Sequence, residues 1–490
     1  MMKLGELLKR SHAGIDHGNI NDTDITGITY DSRKVKPGNI FFAIKGLKDE
    51  GSKYIDEAVN NGAVMVICDE QIRGISRDIL YVKNIRKLMA LMSRVFYFSD
   101  SPNIKLIGVT GTNGKTTTAY LIKYFLEEAG YKAGLIGTID YLIGDKKTNS
   151  TLTTPDSVEM NTMLGEMEKK KTDFCVMEVS SIALVMDRVY GLNYDTAVFT
   201  NLTSEHLDFH GNMENYFEAK KILFDNLPAK SFAVSNKDDI YGERILRDSK
   251  AEKKFYSVNN SSDLKAENEK LSSNGLEFEC EYRNSIYKFR SDLSGRFNIY
   301  NILASVSVAL KYDIEIKFLQ SALKKFKEVR GRFNKIHLPN GAIAVIDYSH
   351  TSDSLKNAIE SAREIVNHEH KNGRVITIFG CGGNKDKTKR PVMGGYAVQL
   401  SDYAIITSDN PRYEDPIDII NEILKGVMNK TNYEVIENRE EAIRRGIEIS
   451  KDGDILLICG KGHETYQEVQ GVRKHFDDKE IVEKYTGTVN

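Results

Sequence analysis

Residues 108–118 read GVTGTNGKTTT and lie between an apolar run, KLIGV, and a stretch of helical spacing, AYLIKYFLEEAG. Glycines at this junction let backbone N–H groups turn toward a phosphate, and the start of the helix adds partial positive charge. Lys115 would reach the β- and γ-phosphates of a nucleotide, and Thr116 would present its hydroxyl to Mg²⁺. Gly111, Thr112, Asn113, Gly114 and Thr117 complete the expected cradle. The spacing departs from the usual GxxxxGK[ST] form, because Val109 stands five before Gly114 and the glycine comes one earlier, at Gly108. A phosphate loop by itself does not separate a ligase from an ATPase motor or a kinase.

Two further segments follow strand-like runs and carry metal-type chemistry. One is MEVSS (177–181), with Glu178 near the strand end; the other is TNLTSEHLDFHGNMENYFEAKKILF (200–224). A carboxylate and an imidazole beside a phosphate loop suit a divalent metal that bridges phosphates. His206 and His210 are four apart, but no HExxH and no supporting cysteine accompany them, which argues against zinc. Read alone, Lys220 is a lysine on a helix surface.

The elements that must position these groups are legible as runs. KLIGV, DFCVMEV, DTAVFTNL and SFAVSN alternate with helix-like segments, and so do AIAVIDY, RVITIFG, YAIITSD and DILLICG further on. Such alternation predicts doubly wound α/β sheets, whose ligands bind beyond the carboxyl ends of the strands. Residues 260–294 differ: LEFECEYRNSIYKFR alternates as antiparallel strands do. NIFFAIKG and GAVMVICDE suggest a smaller α/β unit at residues 1–98. The chain has 490 residues, and at roughly 100–200 residues per domain that is about three domains.

Composition excludes several classes. The apolar fraction is 40% and the charged fraction 28%, as in a globular protein with real cores. With 68 basic against 70 acidic residues the net charge is −2, and no Lys/Arg-rich block occurs, so no nucleic-acid partner is expected. The five cysteines are scattered without a CxxC pair, as in a reducing compartment. No run of about 18 apolar residues occurs and the N-terminus lacks the apolar core of a signal peptide, so no membrane span and a cytoplasmic location are expected.

Taken together, GTNGKTTT, MEVSS, TNLTSEHLDFHG and EAKK resemble the Mur ligase family. YDSRKVKPGNIFFAIKG (30–46), SDNPRYEDP (408–416) and GKGHETYQ (460–467) resemble the members that add diaminopimelate as the third residue of the peptidoglycan stem peptide. The resemblance covers essentially the whole chain. It implies a UDP-sugar-binding α/β domain at 1–99, a central P-loop-type ATP-binding catalytic domain at 100–329 and a Rossmann-like amino-acid-binding domain at 330–490. It also implies an ADP-forming ligase that uses ATP and Mg²⁺, acts through an acyl phosphate, and is a monomer. UDP-N-acetylmuramoyl-dipeptide and meso-diaminopimelate would be its substrates.

The same resemblance assigns residues. Lys115, Glu178, His206 and Lys220 form the catalytic set, with Thr116, Glu178, His206 and a carbamylated Lys220 at the metal. Asn301, Arg332 and Asp347 join the phosphate loop on ATP, with His350 close by. Tyr30, Ser32, Leu47, Lys48, Asp49, Thr153, Thr154, Ser180 and Arg188 face the sugar-peptide. Arg390, Asp409, Asn410, Pro411, Arg412, Gly460 and Glu464 form the amino-acid pocket, and Arg412 is the guanidinium fork for a distal carboxylate. The chain departs from the family pattern at Ile182, where a histidine is usual, at Ser349 and Ser352 within DYSHTSD, and at Met186. Other readings are a lysine- or ornithine-adding ligase, which DNPR opposes, and a folylpolyglutamate or cyanophycin synthetase relative, which YDSRKVKPGN opposes. A paralogue with another acceptor and a catalytically silent binding protein also remain as alternatives, and the intact Lys115, Glu178, His206 and Lys220 oppose the latter.

Overall fold

The computed structural model describes residues 2–11, 23–46, 49–69, 79–99, 102–369 and 372–487. Leu47 and Lys48 lie outside the described residues. The first sheet is parallel, with the strands β1 (Gly27–Thr29), β2 (Asn39–Ala43), β3 (Met65–Cys68) and β4 (Ile79–Tyr81) in that order. The helix Ile85–Tyr97 packs its Leu88, Met89 and Met92 into the core of this unit.

The central sheet has eleven strands among the described residues. They are β5 (Lys105–Thr110), β6 (Ala133–Ile136), β7 (Asp140–Ile143), β8 (Lys146–Asn149), β9 (Phe174–Glu178), β10 (Thr196–Phe199), β11 (Phe232–Asn236), β12 (Glu252–Ser257), β13 (Leu264–Ser272), β14 (Gly275–Tyr282) and β15 (Ser285–Ser291). The order is β8-β7-β6-β9-β5-β10-β11-β12-β13-β14-β15. The stretch from β6 to β13 is parallel, and β13, β14 and β15 extend it antiparallel, as the alternating segment predicts. Strands such as β9 are buried at every residue because helices cover both faces, which is why they read as unbroken apolar runs. Helices Lys115–Glu128 and Phe297–Lys311 cover one face; Ser157–Lys169 and Met213–Asp225 cover the other. Each fully buried large apolar side chain in these layers contributes about 1.5–3 kcal/mol.

The last sheet contains β16 (Asn334–His337), β17 (Ile343–Asp347), β18 (Val375–Phe379), β19 (Tyr403–Ile406), β20 (Tyr433–Val435) and β21 (Ile455–Cys459). Its order is β16-β17-β21-β18-β19-β20, parallel except for β16. A hairpin of β22 (Tyr466–Val469) and β23 (Val472–His475) follows. In the central sheet β5 has β9 on one side and β10 on the other, so the loops after these three strands leave in different directions and open a crevice. The last sheet presents the ends of β17, β21, β18 and β19 side by side.

Candidate active site

The phosphate loop leaves β5 and enters the helix Lys115–Glu128. Gly111 has φ +147°, and a Cβ there would collide with Thr200 Oγ1, so only glycine lets the loop lie against the end of β10. The loop is pinned from that side: Thr200 Oγ1 donates to the Asn113 carbonyl at 2.6 Å, and the Asn113 N–H donates to Asn201 Oδ1 at 2.9 Å. Lys115 Nζ folds over the loop and donates to the carbonyls of Gly111 (2.8 Å) and Thr112 (2.7 Å). Burial pushes its ammonium below the ordinary range, opposed by the charges of Glu205 and Glu178.

Glu178 ends β9 almost fully buried. It accepts from Thr116 Oγ1 (3.0 Å), Thr138 Oγ1 (2.9 Å) and the Thr138 N–H (2.8 Å). Lys220 is 1% exposed, so it is no surface lysine. It projects from the helix Met213–Asp225 to donate to the Gly111 carbonyl at 2.9 Å, over the ring of Tyr216. Burial drives its ammonium well down and nearby Lys115 drives it further, with Glu205 opposing. His206 has φ +56°, and its Nε2 lies 3.7 Å from Glu205. Burial lowers its pKa, so the ring favours the neutral form that ligates metals. His210 does not join it: its Nε2 is engaged by Ser181 Oγ at 2.9 Å.

The last domain reaches across this crevice. Arg332 Nη2 donates to Thr116 Oγ1 at 2.9 Å while its guanidinium stacks on the Tyr348 ring. His350 Nε2 meets Glu205 at 3.1 Å, and Asn113 Nδ2 donates to Asp353 at 2.8 Å. Asp347, at the end of β17, accepts from the N–H groups of Phe333 and Ser349 and from the Ser349 hydroxyl. Ser349, one of the departures from the family pattern, thus anchors Asp347 through its side chain as well as its backbone. Asn301 Nδ2 donates to Asn298, and its Oδ1 lies against the Gly114 turn. Arg332 Nε and His463 Nδ1 are buried without a hydrogen-bond partner among the described residues, so this cleft holds polar atoms ready for a ligand.

A second recess lies beyond β19 and β21. Asp409 accepts from the Asn410 N–H, and Asn410 Nδ2 donates to Glu464 at 2.7 Å. Gly460 has φ +116° and lies so close to Asp409 that a Cβ would stand 2.5 Å from Oδ2. Pro411 is buried, and Arg412, half-buried with φ +55°, donates to the Gly383 carbonyl at 2.8 Å. Arg390 is held by acidic partners. Its side chain is 0% exposed, and the guanidinium is engaged by Glu414, Glu422 and the Gly382 carbonyl. It stands in the wall of the recess, and its Nε has no hydrogen-bond partner among the described residues.

On the opposite side, Thr154 Oγ1 donates to the Glu178 carbonyl at 2.8 Å and accepts from the Ser180 N–H. Arg188 donates to the Thr154 carbonyl at 2.9 Å, and Thr153 pairs with Thr138. Tyr30 of the first domain joins this surface through its hydroxyl on Asp156 (2.7 Å). Ser32 and Asp49 have partners of their own within the first domain, Glu57 and Tyr54.

Three family models match in order: "Mur ligase family, catalytic domain" over residues 24–97, "Mur ligase middle domain" over 109–309, and "Mur ligase, glutamate ligase domain" over 331–462. A curated protein of Clostridium botulinum, UDP-N-acetylmuramoyl-L-alanyl-D-glutamate–2,6-diaminopimelate ligase, is 44% identical over 470 residues, 95% of each chain. The protein of that name numbered 1 in Clostridium acetobutylicum is 43% identical over 487 residues, 99% of each. The chain belongs to the Mur ligase family. A solved structure of a ligase of the same name superposes with TM-score 0.69 at 30% identity, covering 96% of this chain and 97% of the other.

As a Mur ligase, the chain is an ATP-dependent carbon–nitrogen ligase. Glu205, Asp353 and Lys461 are polar groups of its clefts that the motifs did not single out. Glu205 stands within TNLTSEHLDFHG beside His206, and its adjacency to that histidine was the available signal. Burial raises its pKa, but the bond from His350 and the charges of His206, His350 and Lys115 outweigh that and hold the carboxyl well below its ordinary range. No helix among the described residues is long and apolar enough to cross a membrane.

Proposed function

We propose that the protein joins the amino group of meso-diaminopimelate to the terminal carboxylate of UDP-N-acetylmuramoyl-L-alanyl-D-glutamate, in the cytoplasm, as a step of peptidoglycan precursor synthesis. The observation that carries this reading is the Arg332–Thr116 contact, which lays the nucleotide loop of one domain against the domain that bears the Asp409–Arg412 recess. The substrate carboxylate attacks the γ-phosphorus of ATP, a C–O–P linkage forms, and the bond to the β-phosphate oxygen breaks to release ADP. The amine then attacks the activated carbonyl, loses a proton, and expels phosphate. Two anions must meet in the first step, so Lys115 and Arg332 supply the screening charge.

Asn301, Arg332 and Asp347 complete the ATP site, and Thr153, Thr154, Ser180, Arg188 and Tyr30 face the sugar-peptide. Among the described residues no three His, Cys, Asp or Glu side chains form a ready-made metal cage. Two oxygen donors present nevertheless suit Mg²⁺, the Glu178 carboxylate and the Thr116 hydroxyl, and the family resemblance adds the His206 imidazole to them. Lys220 supplies the missing anion if its buried amine, whose pKa burial lowers, adds CO₂, forming an N–C bond and releasing a proton to leave a carbamate. Magnesium held by these residues would supply positive charge against the phosphates of ATP.

Incubation with ATP, Mg²⁺, the UDP-sugar dipeptide and single amino acids, followed by mass analysis, tests the reading. A tripeptide product with diaminopimelate is expected. A product only with lysine, ornithine or another acceptor would replace the substrate assignment, and no ADP under any condition would remove the ligase reading.

A further inference from the structure

Lys461 follows Gly460 in the GKGHE turn, and its side chain is 0% exposed. Its Nζ donates to Asn410 Oδ1 (3.2 Å), to Glu464 Oε2 (3.4 Å) and to the Tyr466 carbonyl, with the Tyr466 and Phe476 rings around it. Asn410 in turn donates to the same Glu464 oxygen and accepts the Glu468 N–H. One buried cation thus ties together the loop after β19, the turn after β21 and the hairpin strand β22. We propose that Lys461 is a positioning residue of the amino-acid site, a fixed cation that holds Glu464 ionised and aimed at the ammonium of the incoming amino acid. The proposal rests on the reading of Glu464 as a contact of that amino acid.

The physical need for such a cation is visible in what surrounds Glu464. The carboxyl is partly buried, and the charge of Asp409 acts on it; both raise its pKa. Tyr348 and Tyr466 also face it but are neutral, since burial pushes both phenols up. Lys461 and the Asn410 amide are the groups that oppose the rise. A protonated Glu464 would donate where it must accept, and would lose its attraction for an ammonium. An opposite charge within ~4–6 Å moves a carboxyl by about 1–3 pH units, enough to decide its state near neutrality when burial works against it. A buried lysine is costly to keep without such a purpose.

The same turn also borders the nucleotide cleft, which provides a control. The Gly460 N–H donates to the Asp347 carbonyl at 3.1 Å, and the His463 ring packs on Tyr348. Mere loosening of the turn would weaken ATP and amino acid together, whereas loss of the Lys461 charge acts on the amino acid alone.

The experiment measures initial rates against pH for the full chain and for Lys461→Met, Lys461→Gln, Glu464→Gln and the Lys461→Met/Glu464→Gln double variant, with thermal unfolding of each. Lys461→Gln, which keeps a donor toward Asn410, decides the matter if Lys461→Met does not fold. The expected result is a KM for diaminopimelate raised about tenfold or more with the KM for ATP within about twofold. The acidic limb of kcat/KM should move to higher pH by about 1–3 units, because loss of the cation raises the carboxyl pKa. The double variant should be no worse than the poorer single variant, since both remove one interaction. Equal rises in both KM values without a shifted limb, or multiplying losses in the double variant, overturn the proposal. Unchanged use of diaminopimelate by Glu464→Gln would instead overturn the reading of the pocket.

Discussion

Replacing Arg412 by alanine separates the amino-acid recess from the rest of the machinery. The Arg412 backbone is held on both sides, its N–H on the Glu468 carbonyl (3.0 Å) and its carbonyl on the Gln470 N–H (2.6 Å). Alanine at φ +55° carries the same left-handed strain as arginine, so the turn should persist. One guanidinium N–H is anchored on Gly383, which leaves the other nitrogens of the fork for a ligand carboxylate. Each hydrogen bond to a charged group contributes about 1.5–3 kcal/mol, and a half-exposed pair must be discounted for solvent, so about 2–4 kcal/mol in all is at stake. At 1.4 kcal/mol per tenfold, kcat/KM for diaminopimelate should fall roughly 30- to 700-fold. The KM for ATP should barely move, and Arg412→Lys should fall between, keeping charge but not the fork. Lysine lacks the distal carboxylate, so the wild type should nearly ignore it and the alanine variant should not gain it. Rates with each amino acid, product by mass, decide the matter: full diaminopimelate activity in Arg412→Ala, or a wild-type preference for lysine, refutes the reasoning.

Lys115→Ala should abolish ADP formation while leaving the unfolding curve nearly unchanged; turnover at the wild-type rate would remove the phosphate-loop assignment. Lys220→Ala should lose most activity and recover part of it with added acetate or formate, and full activity without rescue would show that the lysine carries no carbamate. Arg439 and Asp478 form an ion pair with both side chains 0% exposed, two N···O contacts of 2.7 and 2.8 Å, and a further bond from Arg439 to the Cys459 carbonyl. Asp478→Asn leaves that cation buried and should cost about 3–5 kcal/mol, on the order of 10 °C in the unfolding of the last domain. A shift of a degree or less in calorimetry would show that the pair is not stabilising.

Much of the architecture is local and therefore readable along the chain. KLIGV, DFCVMEV, RVITIFG and DILLICG are unbroken apolar runs because helices cover both faces of the strands they form. LEFECEYRNSIYKFR alternates because β14 and β15 have one covered and one solvated face. The glycines of GTNGK similarly announce backbone angles that other residues resist. Strand order is another matter: nothing local says that β21, late in the chain, slots between β17 and β18. Nor could a lysine on a helix with mixed neighbours reveal that its face is buried against Gly111. The partners of Arg390 are equally non-local, since Glu414 and Glu422 arrive from 24 and 32 residues away. The His350–Glu205 contact joins residues 145 apart in different domains. Periodicity and turn chemistry record which side of an element meets the core, and the sequence carries that directly. Which charge meets which depends on long-range packing, so burial, pairing and protonation at the site were decided only by the tertiary structure.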